Sequence, residues 1–197
     1  LDLVCGDLNN DGYDELIVLE TATADEGTFA SLWDFNNNTK STVKVVDAGS
    51  TALRITAGDA DNDGRDDLFV LWKDDLGYYV TYFHTLDDFT FEQSELTLPA
   101  GDVAAVDLVA ADLDGDLDAE VATLLEQPQG DYNAWVWVND PSEHFPLRET
   151  AQELARHSCH SFTTVKHGPF GIIDWETRTH RVHPRAIAAA DLDQDHQ

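Results

Sequence analysis

The chain has 197 residues, 39 Asp and Glu against 11 Lys and Arg, a formal charge of −28 at pH 7, 42% apolar residues and no Met. That apolar content is ample for a packed core, so the charge does not imply disorder, while so acidic a surface excludes nucleic acid and anionic membranes as partners, since both require basic patches. No apolar run is long enough to cross a membrane as a helix, and the lack of Met, with a start and stop inside a repeating pattern, reads as an excerpt or processed piece of a larger protein.

In chain order, residues 1–6 read as a strand, followed by strands at 15–21, 29–35 and 42–47. Between the last two, Asn36-Asn37-Asn38-Thr39 reads as a turn, and Asn37 heads a glycosylation sequon there. Strands at 52–57, 67–72, 78–84 and 91–98 repeat the pattern, and 119–125 and 134–138 begin it a third time. Small residues gather ahead of each later loop, at Ala57-Gly58, Ala110-Ala111 and Ala188-Ala189-Ala190, as expected where strands crowd together. The units are expected at about 1–50, 51–100 and 101–185, with another beginning at 186–197.

The first two strands of each unit are joined by a loop of alternating oxygen donors. Asp7-Leu8-Asn9-Asn10-Asp11-Gly12-Tyr13-Asp14-Glu15 recurs at residues 59–67 and 112–120, and Asp191-Leu192-Asp193-Gln194-Asp195 starts a fourth copy. The first acids stand at 7, 59, 112 and 191, so the intervals are 52, 53 and 79 residues. A period of this size marks a repeat architecture.

Calcium takes six to eight oxygens at roughly 2.3–2.6 Å, and side chains at positions 1, 3 and 5 of a tight loop converge on one point. Those positions are Asp7, Asn9 and Asp11; Asp59, Asp61 and Asp63; Asp112, Asp114 and Asp116; and Asp191, Asp193 and Asp195. Position 7 (Tyr13, Arg65, Asp118) would offer its backbone carbonyl and position 9 (Glu15, Asp67, Glu120) a closing carboxylate, with water completing the shell. Gly12 and Gly64 at position 6 allow a left-handed turn at no steric cost. Leu117 in that place costs about 1–2 kcal/mol, which would distort or weaken the third site, whereas His196 in the fourth copy is easier to accommodate. An EF-hand needs a bidentate Glu at position 12 and flanking helices; here position 12 is Val18, Val70 or Thr123, and strand-like runs follow.

These loops resemble the FG-GAP or VCBS repeats, including the calcium-binding blades of the integrin alpha-subunit β-propeller. The resemblance rests on Gly6-Asp7 through Leu16, Gly58-Asp59 through Leu68 and Ala111-Asp112 through Val121. It implies an all-β fold, a β-propeller of four-stranded blades, of which this chain would hold about three and a half from a propeller of seven. It further implies that the loop between the first and second strands of a blade binds calcium through positions 1, 3, 5, 7 and 9, giving three to four structural sites.

The third unit departs from the period by about 26 residues, and 141–185 holds six of the eleven Lys and Arg and six of the eight His. Within it, 147–157 reads as a short helix and 160–166 and 172–182 as strands. Elaboration on a rigid scaffold is where specific function tends to sit, so a protein or carbohydrate ligand is expected there. His157, Cys159, His160 and His167 match no zinc spacing and read as surface histidines. His180 and His183 with Asp174 and Glu176 lack a nucleophile elbow, phosphate loop or dinucleotide fingerprint nearby, so no catalytic residue is assigned. Trp33, Trp72 and Trp135 are expected between blades rather than on a sugar-binding face. Cys5 reads as a small buried thiol, and its pairing with Cys159 is left open.

The expected function is therefore a calcium-stabilised module for extracellular recognition or adhesion, at the cell surface or in a periplasm, with the remainder of a parent propeller as its partner and no insertion into a membrane. The alternatives are an accessory or catalytic propeller of a secreted enzyme acting on polysaccharides or phosphoesters, and a structural subunit of a surface filament or matrix.

Overall fold

A computed structural model describes residues 2–21, 26–98, 104–112, 117–126, 132–137, 152–157, 160–168 and 171–180. The described chain is all-β, in antiparallel sheets. The first sheet holds β1 (Asp2–Gly6), β2 (Glu15–Thr21), β3 (Thr28–Asp34) and β4 (Thr39–Val46) in chain order. The second holds β5 (Thr51–Gly58), β6 (Asp67–Lys73), β7 (Tyr78–Thr85) and β8 (Phe91–Thr97), with a 3-10 turn at Asp87–Phe89 between the last two. The third holds β9 (Ala104–Ala111), β10 (Glu120–Glu126), β11 (Tyr132–Trp137) and β12 (Gln152–His157). A two-stranded hairpin, β13 (His160–Gly168) and β14 (Gly171–His180), follows.

The sheets stack through two cores, and the period-2 alternation of β6 shows why. Leu68 and Val70 join Leu8, Ile17, Leu19, Leu32 and Ile55 in the core between the first and second sheets. Phe69 and Leu71 point the opposite way, into a core with Val80, Tyr82, Leu108, Val121 and Leu125 between the second and third. A strand covered on both faces reads as an unbroken apolar run, which is what Leu68-Phe69-Val70-Leu71 is. The first strands β1, β5 and β9 lie side by side and are tied across. Asp2 Oδ2 accepts from the Ile55 amide at 3.0 Å, Arg54 Nε donates to Asp107 Oδ1 at 3.0 Å, and the Ala110 amide donates to Thr56 Oγ1 at 3.2 Å.

Three expectations are corrected. The helix over 147–157 is absent from its described part, where Gln152–His157 pairs with β11 in the register Tyr132↔His157 and Ala134↔Ala155. Gln-Glu-Leu-Ala-Arg favours a helix locally, but β11 would otherwise present an open edge, and sheet pairing overrides a propensity of a few tenths of a kcal/mol per residue. As a result, 141–185 contains the fourth strand of the third sheet as well as the hairpin. Cys5 is exposed and free: Val4 packs towards the first core, so Cys5 and Leu3, one residue to either side of it, point away from it. Trp33 is also exposed and lies under the Lys40 ammonium, 4.6 Å from the ring centroid, not between sheets. Trp72 does pack against the first core, stacked on Tyr79 at 4.4 Å and donating to Thr81 Oγ1 at 2.8 Å. Cys159 and the Trp135 side chain lie outside the described residues.

Candidate metal-binding loops

The first two loops fold the same way because the same short side chains cap the same backbone amides. At position 1, Asp7 Oδ1 accepts from the Asp11 amide (3.1 Å) and Oδ2 from the Gly12 amide (2.8 Å). Asp59 does the same for the Asp63 amide (3.2 Å) and the Gly64 amide (2.9 Å). The position 3 oxygens of Asn9 and Asp61 share the position 5 amide, at 2.9 and 3.2 Å. Asp11 and Asp63 in turn take the amides of Tyr13 and Arg65, at 3.0 and 2.8 Å. Such Asx turns require a chain that bends sharply. Gly12 (φ +83°) and Gly64 (φ +87°) supply the bend, together with Asn10 and Asn62 at position 4, both at φ +56°.

Loop three keeps the same turn at its described end. Leu117 lies at φ +79° and donates its amide to Asp112 Oδ2 at 3.1 Å, so it accepts the left-handed strain that glycine avoids elsewhere. Asp118 and Glu120 are buried. Asp114, Asp116 and the whole fourth copy with Asp191, Asp193 and Asp195 lie outside the described residues. Asn37 is exposed in the β3–β4 turn, where its amide nitrogen donates to Asp34 Oδ2 at 2.7 Å.

Position 9 is the buried end of each loop. Glu15 is 1% exposed; its Oε2 accepts from the Leu8 amide at 2.8 Å and its Oε1 from Asn9 Nδ2 at 3.0 Å. Asp67, equally buried, accepts from the Ala60 amide (3.1 Å), the Thr85 amide (2.7 Å) and the Tyr82 hydroxyl (2.7 Å). The position 9 carboxylate thus fastens position 2, and the position 2 side chains Leu8 and Ala60 plug the two cores. Carboxylate oxygens of Asp59, Asp61 and Asp63 lie within 4.8 Å of one another, an all-oxygen group of the kind a hard cation needs. The donor set fits calcium.

Burial shifts the titration of these acids, with smaller contributions from neighbouring carboxylates at Glu15, Asp59 and Asp66. Burial pushes the Glu15 carboxyl up to about 7, against the Leu8 hydrogen bond and with the help of the Asp34, Asp11 and Asp7 charges. Burial likewise raises Asp67 to about 6, opposed by its three hydrogen bonds and by His84. Asp59 and Asp66 are raised mainly by burial. A carboxyl whose folded pKa exceeds its unfolded one binds more protons when folded. Its stabilising effect is full below the unfolded value and is lost as pH rises through the folded one. In chelator the melting temperature is therefore expected to fall as pH rises from about 4.5 to about 7, the window set by Glu15 and Asp67. Thermal melts across that range check this, and a flat or rising profile would contradict it.

Neighbouring loops are latched to each other, a feature that the sequence reading did not find. The Asp66 amide donates to the Asp7 carbonyl at 2.8 Å, and the Asp7 amide returns a bond to Asp66 Oδ2 at 2.9 Å. One unit on, the Ala119 amide donates to the Asp59 carbonyl at 2.7 Å. Position 8 of each loop thus holds position 1 of the loop before. The only sequence hint is the Gly6-Asp7 and Gly58-Asp59 pairs, which leave room for the approach.

Residues 7–70, from the first acid of loop one into the strand after loop two, match the family model of the FG-GAP-like repeat. This segment is an FG-GAP-like repeat. No curated protein matches the chain. The FG-GAP-like segment contains both complete described loops and the latch between them. The third loop lies beyond it but shares the position 6 turn and the latch.

Proposed function

We propose that the chain is part of a calcium-stabilised β-propeller serving recognition or adhesion outside the cell or in a periplasm, with the metal in a structural role. The observation that carries this reading is the repetition of one oxygen-lined loop, capped at positions 1, 3 and 5 by identical hydrogen bonds and fastened at position 9 by a buried carboxylate. Glu15 and the acids around it are crowded into a partly dehydrated site, and a divalent cation relieves that repulsion. The four-stranded sheets with β1, β5 and β9 adjacent support a reading as blades about an axis. The residues that would hold calcium are Asp7, Asn9, Asp11 and Glu15 in loop one and Asp59, Asp61, Asp63 and Asp67 in loop two, with the Tyr13 and Arg65 carbonyls. In loop three Asp112, Asp118 and Glu120 would contribute. Ligand contact through 141–185 belongs to the same proposal.

Calcium titration by calorimetry tests it, with melts in calcium and in chelator. At least one equivalent for each complete loop is expected, with one equivalent lost in Asp7→Ala and a melting temperature that drops in chelator. Absence of binding would leave the loops as acidic turns and remove the support for an extracellular role.

A further inference from the structure

We propose that loop two carries a second kind of metal site, formed by Asp61, Asp67 and His84, which takes a borderline divalent cation such as zinc in competition with calcium. His84 lies on β7, outside the oxygen-donor loop, and contributes a nitrogen to the group. Its Nδ1 is 3.4 Å from Asp67 Oδ1 and 3.6 Å from Asp61 Oδ2. Both distances exceed the roughly 2.7–2.9 Å of a charge-assisted hydrogen bond. They match the separation of about 3.4 Å between two ligands of a tetrahedral ion with bonds near 2.1 Å. Nδ1 also lies 3.2 Å from the Tyr82 hydroxyl, which donates to Asp67 Oδ2.

The supporting contacts orient the ligands. Asp67 is held on Oδ2 by Tyr82 and the Ala60 amide and on Oδ1 by the Thr85 amide, so the carboxylate cannot rotate away from His84. Two carboxylates, one imidazole and a water make four ligands, a set that suits zinc. A nitrogen donor also shifts preference from calcium towards zinc and its neighbours.

Sheet one shows what the same position looks like without this function. The registers Leu16↔Trp33 and Leu68↔Phe83 put Asp34 where sheet two has His84. Asp34 is turned to its own turn instead, accepting from the Asn37 amide at 2.8 Å and side chain at 2.7 Å. Loop two also differs at position 7: the Arg65 guanidinium bonds Asp63 Oδ2 and Asp87 Oδ1, so a cation already competes for one oxygen of the all-oxygen group. Asp59 and Asp63 take no part in the His84 group, so this inference does not depend on calcium occupying loop two.

The test is a zinc titration of the calcium-free chain, by calorimetry. Because six histidines lie in 141–185, the readout is the difference between variants, not the total stoichiometry. His84→Asn and His84→Asp, each checked for an unchanged β-sheet circular dichroism spectrum, are expected to weaken one zinc equivalent by about tenfold or more. Asp59→Asn is expected to keep that equivalent. His84→Asp installs the sheet-one residue, so it measures the site even if the asparagine variant folds poorly. A zinc isotherm unchanged in both His84 variants overturns the site. Loss of calcium binding with the His84-dependent zinc equivalent intact removes the calcium reading and leaves this one in place.

Discussion

Asp67→Ala is expected to destabilise the chelated protein by about 3–5 kcal/mol, a large fraction of the roughly 5–15 kcal/mol that holds a domain folded. Asp67 is 1% exposed and is the common acceptor for the Ala60 amide, the Thr85 amide and the Tyr82 hydroxyl. Removing it strands three donors, each of which costs about 1–3 kcal/mol when buried without a partner. The Tyr82 phenol is held protonated chiefly by burial, so it cannot compensate by ionising. Asp67→Asn offers two of the three donors an acceptor and should cost much less. Urea unfolding in chelator separates the two, and equal losses for alanine and asparagine would show that charge, not acceptor geometry, sets the stability of this loop.

The strands and loops were legible because both follow short-range rules. Period-2 alternation and the turn at Asn36–Thr39 placed twelve strands within a few residues of where they lie. The Asx chemistry at positions 1, 3 and 5 is local in sequence and local in space. What failed was decided by neighbours. Gln152–His157 is a strand because β11 needs a partner. Trp33 is on the surface because Lys40, opposite it on β4, covers its ring. His84 sits 17 residues after Asp67 and reaches it only through the β6–β7 pairing, so no motif spacing announces it. The left-handed turns at Asn10 and Asn62 were readable in principle, since Asn is enriched at positive φ, but Gly12 and Gly64 drew the inference to position 6 alone.

Gly6→Ala should be nearly as damaging, although it adds one methyl group at the end of a strand. A Cβ there would stand 2.8 Å from Asp66 Oδ2, 2.9 Å from the Ala57 Cβ and 3.2 Å from the Asp66 Cβ. The carboxylate can swing away, but only by giving up its 2.9 Å bond to the Asp7 amide; Ala57 is fixed by the β5 backbone. Overpacking of about 1–3 kcal/mol and a lost half-buried hydrogen bond together predict about 2–4 kcal/mol. Gly58→Ala should cost less, because the nearest atoms, the Cβ of Ala119 and of Ala110, are 3.0 and 3.1 Å away. Gly77→Ala, whose Cβ meets nothing closer than the Tyr79 hydroxyl at 3.9 Å, is the control that should be near neutral. The mechanism is contact between units rather than strand propensity, so Ala57→Gly in the Gly6→Ala background should recover the part of the loss owed to the Ala57 Cβ and leave the part owed to Asp66. Strict additivity of the two substitutions would show that the Gly6–Ala57 contact does not set the cost of Gly6→Ala.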